Sequence, residues 1–118
     1  MSQTVAPAQH LHLDIELDPR KQFHYRIRGR DGHHVVLHRG DTITFTCDES
    51  LSIRFVKESP FEEAAPRPHQ EALLHSGESF ITARVRDNAP AGHYPYVVEV
   101  TKGGRVFTET PEIIVESA

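Results

Sequence analysis

Nine histidines are the residues of this chain best suited to chemistry. His10 and His12 stand two positions apart, and His34 and His38 stand four positions apart. Alternate side chains of a β-strand point the same way, so each pair would share one face, and imidazole is a common ligand of zinc and copper. The same spacing is typical of the polar side of a half-buried strand. We therefore expect no metal site, and these four histidines are the candidates if one exists.

The lone Cys47 is the second group with reactive chemistry. It has no intrachain disulfide partner, and it alternates with Ile43 and Phe45, which predicts a buried thiol that behaves as a small hydrophobic group. No neighbouring base marks it as a nucleophile. A chain without disulfides is typical of a reducing compartment, and residues 1–9 show no signal peptide. We therefore expect a cytoplasmic location.

Charge and composition exclude several classes of function. The net charge is −4, which gives no basic surface for a nucleic acid. No apolar run is long enough to span a membrane. The sequence contains no phosphate loop, nucleophile elbow or zinc-binding pair of cysteines. We therefore expect neither catalysis nor a cofactor, and neither nucleic acid nor membrane as a partner.

Period-two alternation predicts the elements that would position these groups. Leucine and isoleucine alternate with polar residues over residues 11–17, and similar patterns follow almost to the end of the chain. About eight or nine short strands with regular turns indicate an antiparallel sandwich or barrel. A chain of this length suits a single domain, which we place at residues 10–118 after a flexible segment at residues 1–9.

One segment departs from the alternation. Ser59, Pro60 and Glu62 have the spacing of a capping box with a proline at the first helical position. Pro66 and Pro68 would end a helix soon afterwards. The segment therefore predicts one short helical turn over residues 60–65, within a long connection between strands.

Two motifs carry a resemblance to a known family. The stretch Gly40-Asp41-Thr42-Ile43-Thr44-Phe45 and the pattern Gly92-x-Tyr94-x-Tyr96, followed by a glycine-rich hairpin, resemble the cupredoxins, the blue-copper β-sandwich proteins. The resemblance implies a Greek-key sandwich over the last two-thirds of the chain. It also implies where copper ligands would stand, and this chain departs from the family there. Val98 occupies the place of the cysteine, and Leu51 or Ser52 that of the upstream histidine.

An immunoglobulin-like sandwich is the alternative fold. Tyr94 could form a tyrosine corner, in which the hydroxyl bonds to the backbone upstream. The disulfide cysteine of that family would then fall at Tyr96, and the chain contains no tryptophan.

The function that these observations favour is a non-catalytic binding module. We expect a small accessory or interaction domain with a cupredoxin-like fold, no blue-copper site and a protein partner. The alternative is a copper or zinc protein of non-blue type that uses histidines. An enzyme with an unrecognised site is a third, weaker interpretation.

Overall fold

The computed structural model describes residues 8–29, 34–62 and 72–116, and every regular element in these ranges is a β-strand. No helix within them is long and apolar enough to cross a membrane. The described strands are β1 (His10–Leu17), β2 (Phe23–Ile27), β3 (Val35–His38), β4 (Thr42–Phe55), β5 (Ala72–Arg84), β6 (Gly92–Lys102), β7 (Arg105–Glu109) and β8 (Glu112–Glu116). The all-β prediction is confirmed.

The sheet mixes parallel and antiparallel pairs, so the prediction of a purely antiparallel fold is wrong. Its strands run in the order β2-β1-β4-β6-β8-β3, with β5 beside β4 and β7 beside β6. The pairs β1–β4 and β3–β8 are parallel, and the others are antiparallel. Alternating burial reveals which side chains face the core but carries no information about strand direction. The sheet curls into a nearly closed, barrel-like form.

The polar run Asp48-Glu49-Ser50 predicts a turn between two strands, but a single long strand, β4, extends through it. Residues 42–47 pair with β1, residues 50–55 pair with β6, and β5 follows both halves. The register against β5 shifts between Thr46 and Leu51, as it does at a β-bulge. The polar residues Asp48, Glu49 and Ser50 therefore lie at an irregularity in one long strand, where a bulge bends the chain without reversing it.

The helical turn predicted over residues 60–65 is absent from its described part, and residues 63–65 lie outside the described ranges. Phe61 pairs with Val85 in an isolated β-bridge. The Ser59 hydroxyl does accept a hydrogen bond from the chain, but from the amide of Phe61 at 3.0 Å. Phe61 is fully buried. Its place in the core holds this backbone extended and overrides the local helix signal.

Four aromatic rings from separate parts of the chain form the centre of the core. Tyr96 contacts Phe45 and Phe55 with ring centroids 6.0 and 5.6 Å apart. Phe61 packs edge-on against the same two phenylalanines. Tyr94 is also buried. The alternation of residues 94–100 therefore predicts correctly that both tyrosines face the core.

Pro95 lies where β6 changes partners, which explains how a proline fits in this strand. Residues 92–95 pair with β8, and residues 96–101 pair with β4. The Pro95 carbonyl accepts a hydrogen bond from the Val56 amide, just past the end of β4. The N and O of one residue face the same side of a strand. The proline nitrogen therefore faces the end of the β4 ladder, where its missing hydrogen costs little.

Two turns that contain glycine lie beside strands at the positions that the sequence indicates, one before β4 and one between β6 and β7. Gly40 has φ +86° in the turn whose Asp41 amide donates to the His38 carbonyl. Gly103 and Gly104 both have positive φ in the two-residue loop between β6 and β7. Paired positive φ values are typical of a tight hairpin turn, so the predicted glycine-rich hairpin is confirmed.

Candidate functional site

The positions where the resemblance places copper ligands are apolar and lie in the core. Val98 is 0% exposed and stands opposite Ile53 on β4 and Glu109 on β7. Leu51 is equally buried, whereas Ser52 alternates to the other face of β4. Blue copper requires a thiolate and two imidazoles that converge on one point. The side chains at these positions offer no such set.

His10 and His12 share the outer face of β1. Their ring nitrogens contact the hydroxyls of threonines on β4. The two ring nitrogens of His10 lie 2.6 Å from the Thr42 hydroxyl and 3.0 Å from that of Thr44. His12 Nε2 lies 3.2 Å from the Thr46 hydroxyl. A metal ion would have to displace these contacts to gain either imidazole.

His34 and His38 lie near opposite ends of β3. Four residues of extended chain separate their backbones by roughly 13 Å, which is too far for the two to bind one ion through short bonds. His38 lies 3.6 Å from Asp41 and 3.7 Å from Glu116, whereas His34 lines a separate cleft. The described residues contain no group of three or more histidines, cysteines or carboxylates arranged to hold a metal ion.

Cys47 is 8% exposed and belongs to the core, as its alternation predicts. Burial is the main cause that raises the pKa of its thiol above the ordinary value, and the nearby acidic groups of Asp48 and Glu49 add to it. The thiolate fraction at neutral pH is therefore small, which suits a structural role.

Cys47→Ser is expected to destabilise the fold by about 1 kcal/mol, because it places a hydroxyl in an apolar environment. The backbone amide of Glu49 interacts with the side-chain position and limits this cost. Urea unfolding of both proteins measures the difference. Rapid reaction of native Cys47 with a thiol reagent would contradict the buried placement.

A cleft of about 530 Å³ opens on the described surface. It lies between β2 and the β7–β8 connection. Its apolar wall consists of Leu13, Phe23, Val35 and Pro111. Its polar groups are His24, Tyr25, His34, Tyr96, Glu109 and Glu112. An apolar cleft with a few convergent polar groups is the usual form of a binding site.

Two tyrosines and a carboxylate meet within this cleft. The buried Tyr25 hydroxyl interacts with the Glu109 carboxylate, although the two groups fall outside standard hydrogen-bond geometry. Burial first, and then the nearby Glu109 carboxylate, raise the pKa of Tyr25 and that of Tyr96 above the ordinary value. Both phenols therefore stay neutral, and the negative charge at this point belongs to Glu109.

Glu112 and His24, two other ionisable groups of the cleft, each have a hydrogen-bond partner. The Glu112 carboxylate lies 2.9 Å from His93 Nδ1, and Asp18 lies 2.7 Å from His24 Nε2. Within the described ranges, Glu109 forms no ion pair with a Lys, Arg or His side chain. Glu109 is therefore a carboxylate of the cleft that forms no salt bridge with another described residue, and its charge helps to raise the pKa of His24.

His24 should titrate above its ordinary pKa of about 6.5. Its hydrogen bond to Asp18 is the main cause that raises the pKa, and Glu16 and Glu109 add to it. The contact therefore stabilises the folded state fully below the unfolded pKa, and this contribution is lost as the pH rises through the raised folded pKa. NMR titration of the His24 ring measures that pKa.

Asp18→Asn should return the pKa of His24 toward its ordinary value. Asp87→Asn, which removes a carboxylate paired with Arg84 instead, should leave it in place. Equal His24 pKa values in the wild type and Asp18→Asn would show that the Asp18 contact is not formed in solution.

Sequence reasoning did not predict the cleft. The alternation of Phe23 and Tyr25 marks β2 as a half-buried strand, but Glu109 lies far away in sequence. The two regions meet only because the sheet curls until β2 approaches the β7–β8 connection. Two aromatic residues alternating on a short strand with few other apolar residues are the one available signal.

Comparisons with known proteins assign no relative. No protein-family model matches the chain, and no curated protein is significantly similar to it in sequence.

Proposed function

We propose that this chain is a non-catalytic β-sandwich module of cupredoxin-like architecture, which forms no blue-copper site and binds a protein partner. The observation that carries the proposal is Val98, which is fully buried in the core at the position of the family's cysteine. A cytoplasmic location belongs to the same proposal, because the lone thiol is buried and no disulfide is needed.

The start of β4 and the start of β6 support the cupredoxin-like part of the proposal. Gly40 adopts positive φ before the buried pair Ile43 and Phe45, and Gly92 opens the strand that carries Tyr94 and Tyr96 into the core. Both motifs therefore occupy structural positions that explain their residue types. Where ligands would be required, the chain instead has apolar residues and a short hairpin.

The immunoglobulin-like alternative has one feature in its favour and one against it. The Tyr94 hydroxyl donates a hydrogen bond to the Pro90 carbonyl, four residues upstream, as in a tyrosine corner. That family, however, is built from two antiparallel sheets, whereas β1–β4 and β3–β8 are parallel here. The parallel pairs therefore count against the immunoglobulin-like alternative.

A histidine-based metal site has weaker support than a binding surface. Threonine hydroxyls already contact His10 and His12, and His34 lies apart from His38. The cleft, by contrast, offers apolar walls and a carboxylate with no ion-pair partner. We therefore place the partner surface at the cleft.

Site-specific photocross-linking tests partner binding. A benzoylphenylalanine at position 24, on the exposed rim of the cleft, should capture a discrete partner from native cell extract. The same group at exposed position 87, outside the cleft, should capture none. Capture of equal strength from both positions, or from neither, would contradict the proposed surface.

A further inference from the structure

The chemistry of the cleft identifies the kind of group that it accepts. We propose that it binds an alkylammonium ion, with Glu109 as the counter-ion and the rings of Phe23, Tyr25 and Tyr96 as its walls. The inference deepens the proposed function and rests on it in one respect, since a lysine side chain of the partner is one source of such an ion. A free amine is the other source.

The aromatic part of the argument comes from β2 and β6. The rings of Phe23 and Tyr25 are stacked, with centroids 6.4 Å apart and planes 14° apart. Tyr96 lines the same cleft from the core side. The face of an aromatic ring attracts a cation within about 6 Å, and more strongly when water is excluded. The wall therefore suits an organic cation better than a neutral polar molecule.

The electrostatic part comes from Glu109. Glu109 forms no salt bridge with another described residue, whereas the Glu112 carboxylate lies 2.9 Å from His93 Nδ1. An anion would be repelled by both carboxylates. A metal ion would require several ligands, and the described residues hold no suitable group.

The chain itself shows the same contact beside the cleft. The ammonium of Lys21 lies 5.4 Å from the ring centre of Phe107. Phe107 stands two positions before Glu109 on β7, so their side chains leave the strand on the same face. Phe107 on this face of β7 therefore already contacts the ammonium of Lys21. Glu109 on the same face can bind the ammonium of a ligand.

NMR titration with n-butylammonium chloride tests the inference. Amide signals of residues 23–25, 109, 110 and 112 should shift in a saturable way, whereas 1-pentanol, a neutral molecule of similar size, should give much smaller shifts. Glu109→Gln should weaken n-butylammonium binding about five- to tenfold, as expected for the loss of one charge pair. The matched variant Glu49→Gln, outside this cleft, should bind like the wild type.

A second arm separates the two sources of the ion. A capped peptide with a single lysine should shift the same signals, and its acetyl-lysine form should not. Binding of n-butylammonium without the peptide would identify a free amine as the ligand. Equal shifts with 1-pentanol, or no effect of Glu109→Gln, would overturn the inference. Photocross-linking from position 24 could still succeed in that case, so the failure of this inference is distinguishable from failure of the proposed function.

Discussion

Tyr96→Ala is expected to lower the free energy of unfolding by about 3–5 kcal/mol, the usual cost of removing a large aromatic side chain from a core. Tyr96 is 1% exposed and joins Phe45 and Phe55 in the central aromatic group. The loss would consume much of the stability of a domain of this size, about 5–15 kcal/mol. Urea unfolding monitored by circular dichroism measures it.

Tyr94 supplies a comparison within the same strand. Its ring is buried, and its hydroxyl donates to the Pro90 carbonyl. Tyr94→Phe should cost about 1 kcal/mol, the net value of one hydrogen bond, whereas Tyr94→Ala should approach the loss at Tyr96. Near-wild-type unfolding of both alanine variants would show that this face of β6 is exposed, and the assigned core would then be wrong.

Asp41→Ala is expected to destabilise the protein by about 3 kcal/mol, because it removes two hydrogen bonds to a buried polar group. Asp41 is 3% exposed. One carboxylate oxygen accepts from the Gln9 amide at 2.9 Å, and the other accepts from the His38 amide at 2.8 Å. These two hydrogen bonds therefore connect the residue before β1 to the turn before β4.

Two further variants separate this role from a general effect of charge. Asp41→Asn keeps one oxygen acceptor and should recover part of the lost stability. Asp87→Ala removes a largely exposed carboxylate and should cost well under 1 kcal/mol. If Asp41→Ala and Asp87→Ala unfold at the same urea concentration, the buried bonds of Asp41 contribute nothing to stability.

Strand positions and core residues are predictable from this sequence because alternating burial is a local signal. Residues 11–17 and 94–100 place their apolar side chains in the core as the alternation requires. The same signal cannot show which strands pair or in which direction. The parallel pairing of β1 with β4 depends on the path of the residues between them, which no local pattern records.

Two local interpretations failed because distant contacts overrode them. The capping pattern at Ser59 predicts a helical turn, but burial of Phe61 against Phe45 and Phe55 holds the backbone extended there. The polar run at residues 48–50 is typical of a turn, yet it lies within β4. At both places, packing of the neighbouring core residues outweighs the local preference of the polar residues.

The candidate site also has one part that the sequence predicts and another part that it does not. The apolar character of Val98 and Leu51 could be recognised from the sequence, because the resemblance places ligands at those positions. The cleft could not be recognised, because it depends on the curl of the sheet that brings Tyr25 near Glu109. Among the described residues, His10 and His12 contact threonine hydroxyls, and His24 and His93 contact carboxylates.

The central claim is that this module acts by binding and that its interior holds no blue-copper centre. Titration of the purified protein with Cu(II), followed by visible spectroscopy, tests that claim most directly. We predict no intense thiolate-to-copper band, because Val98 occupies the ligand position and the Cys47 thiol is buried in the core. An intense band that appears with the wild type and disappears in Cys47→Ser would contradict the account.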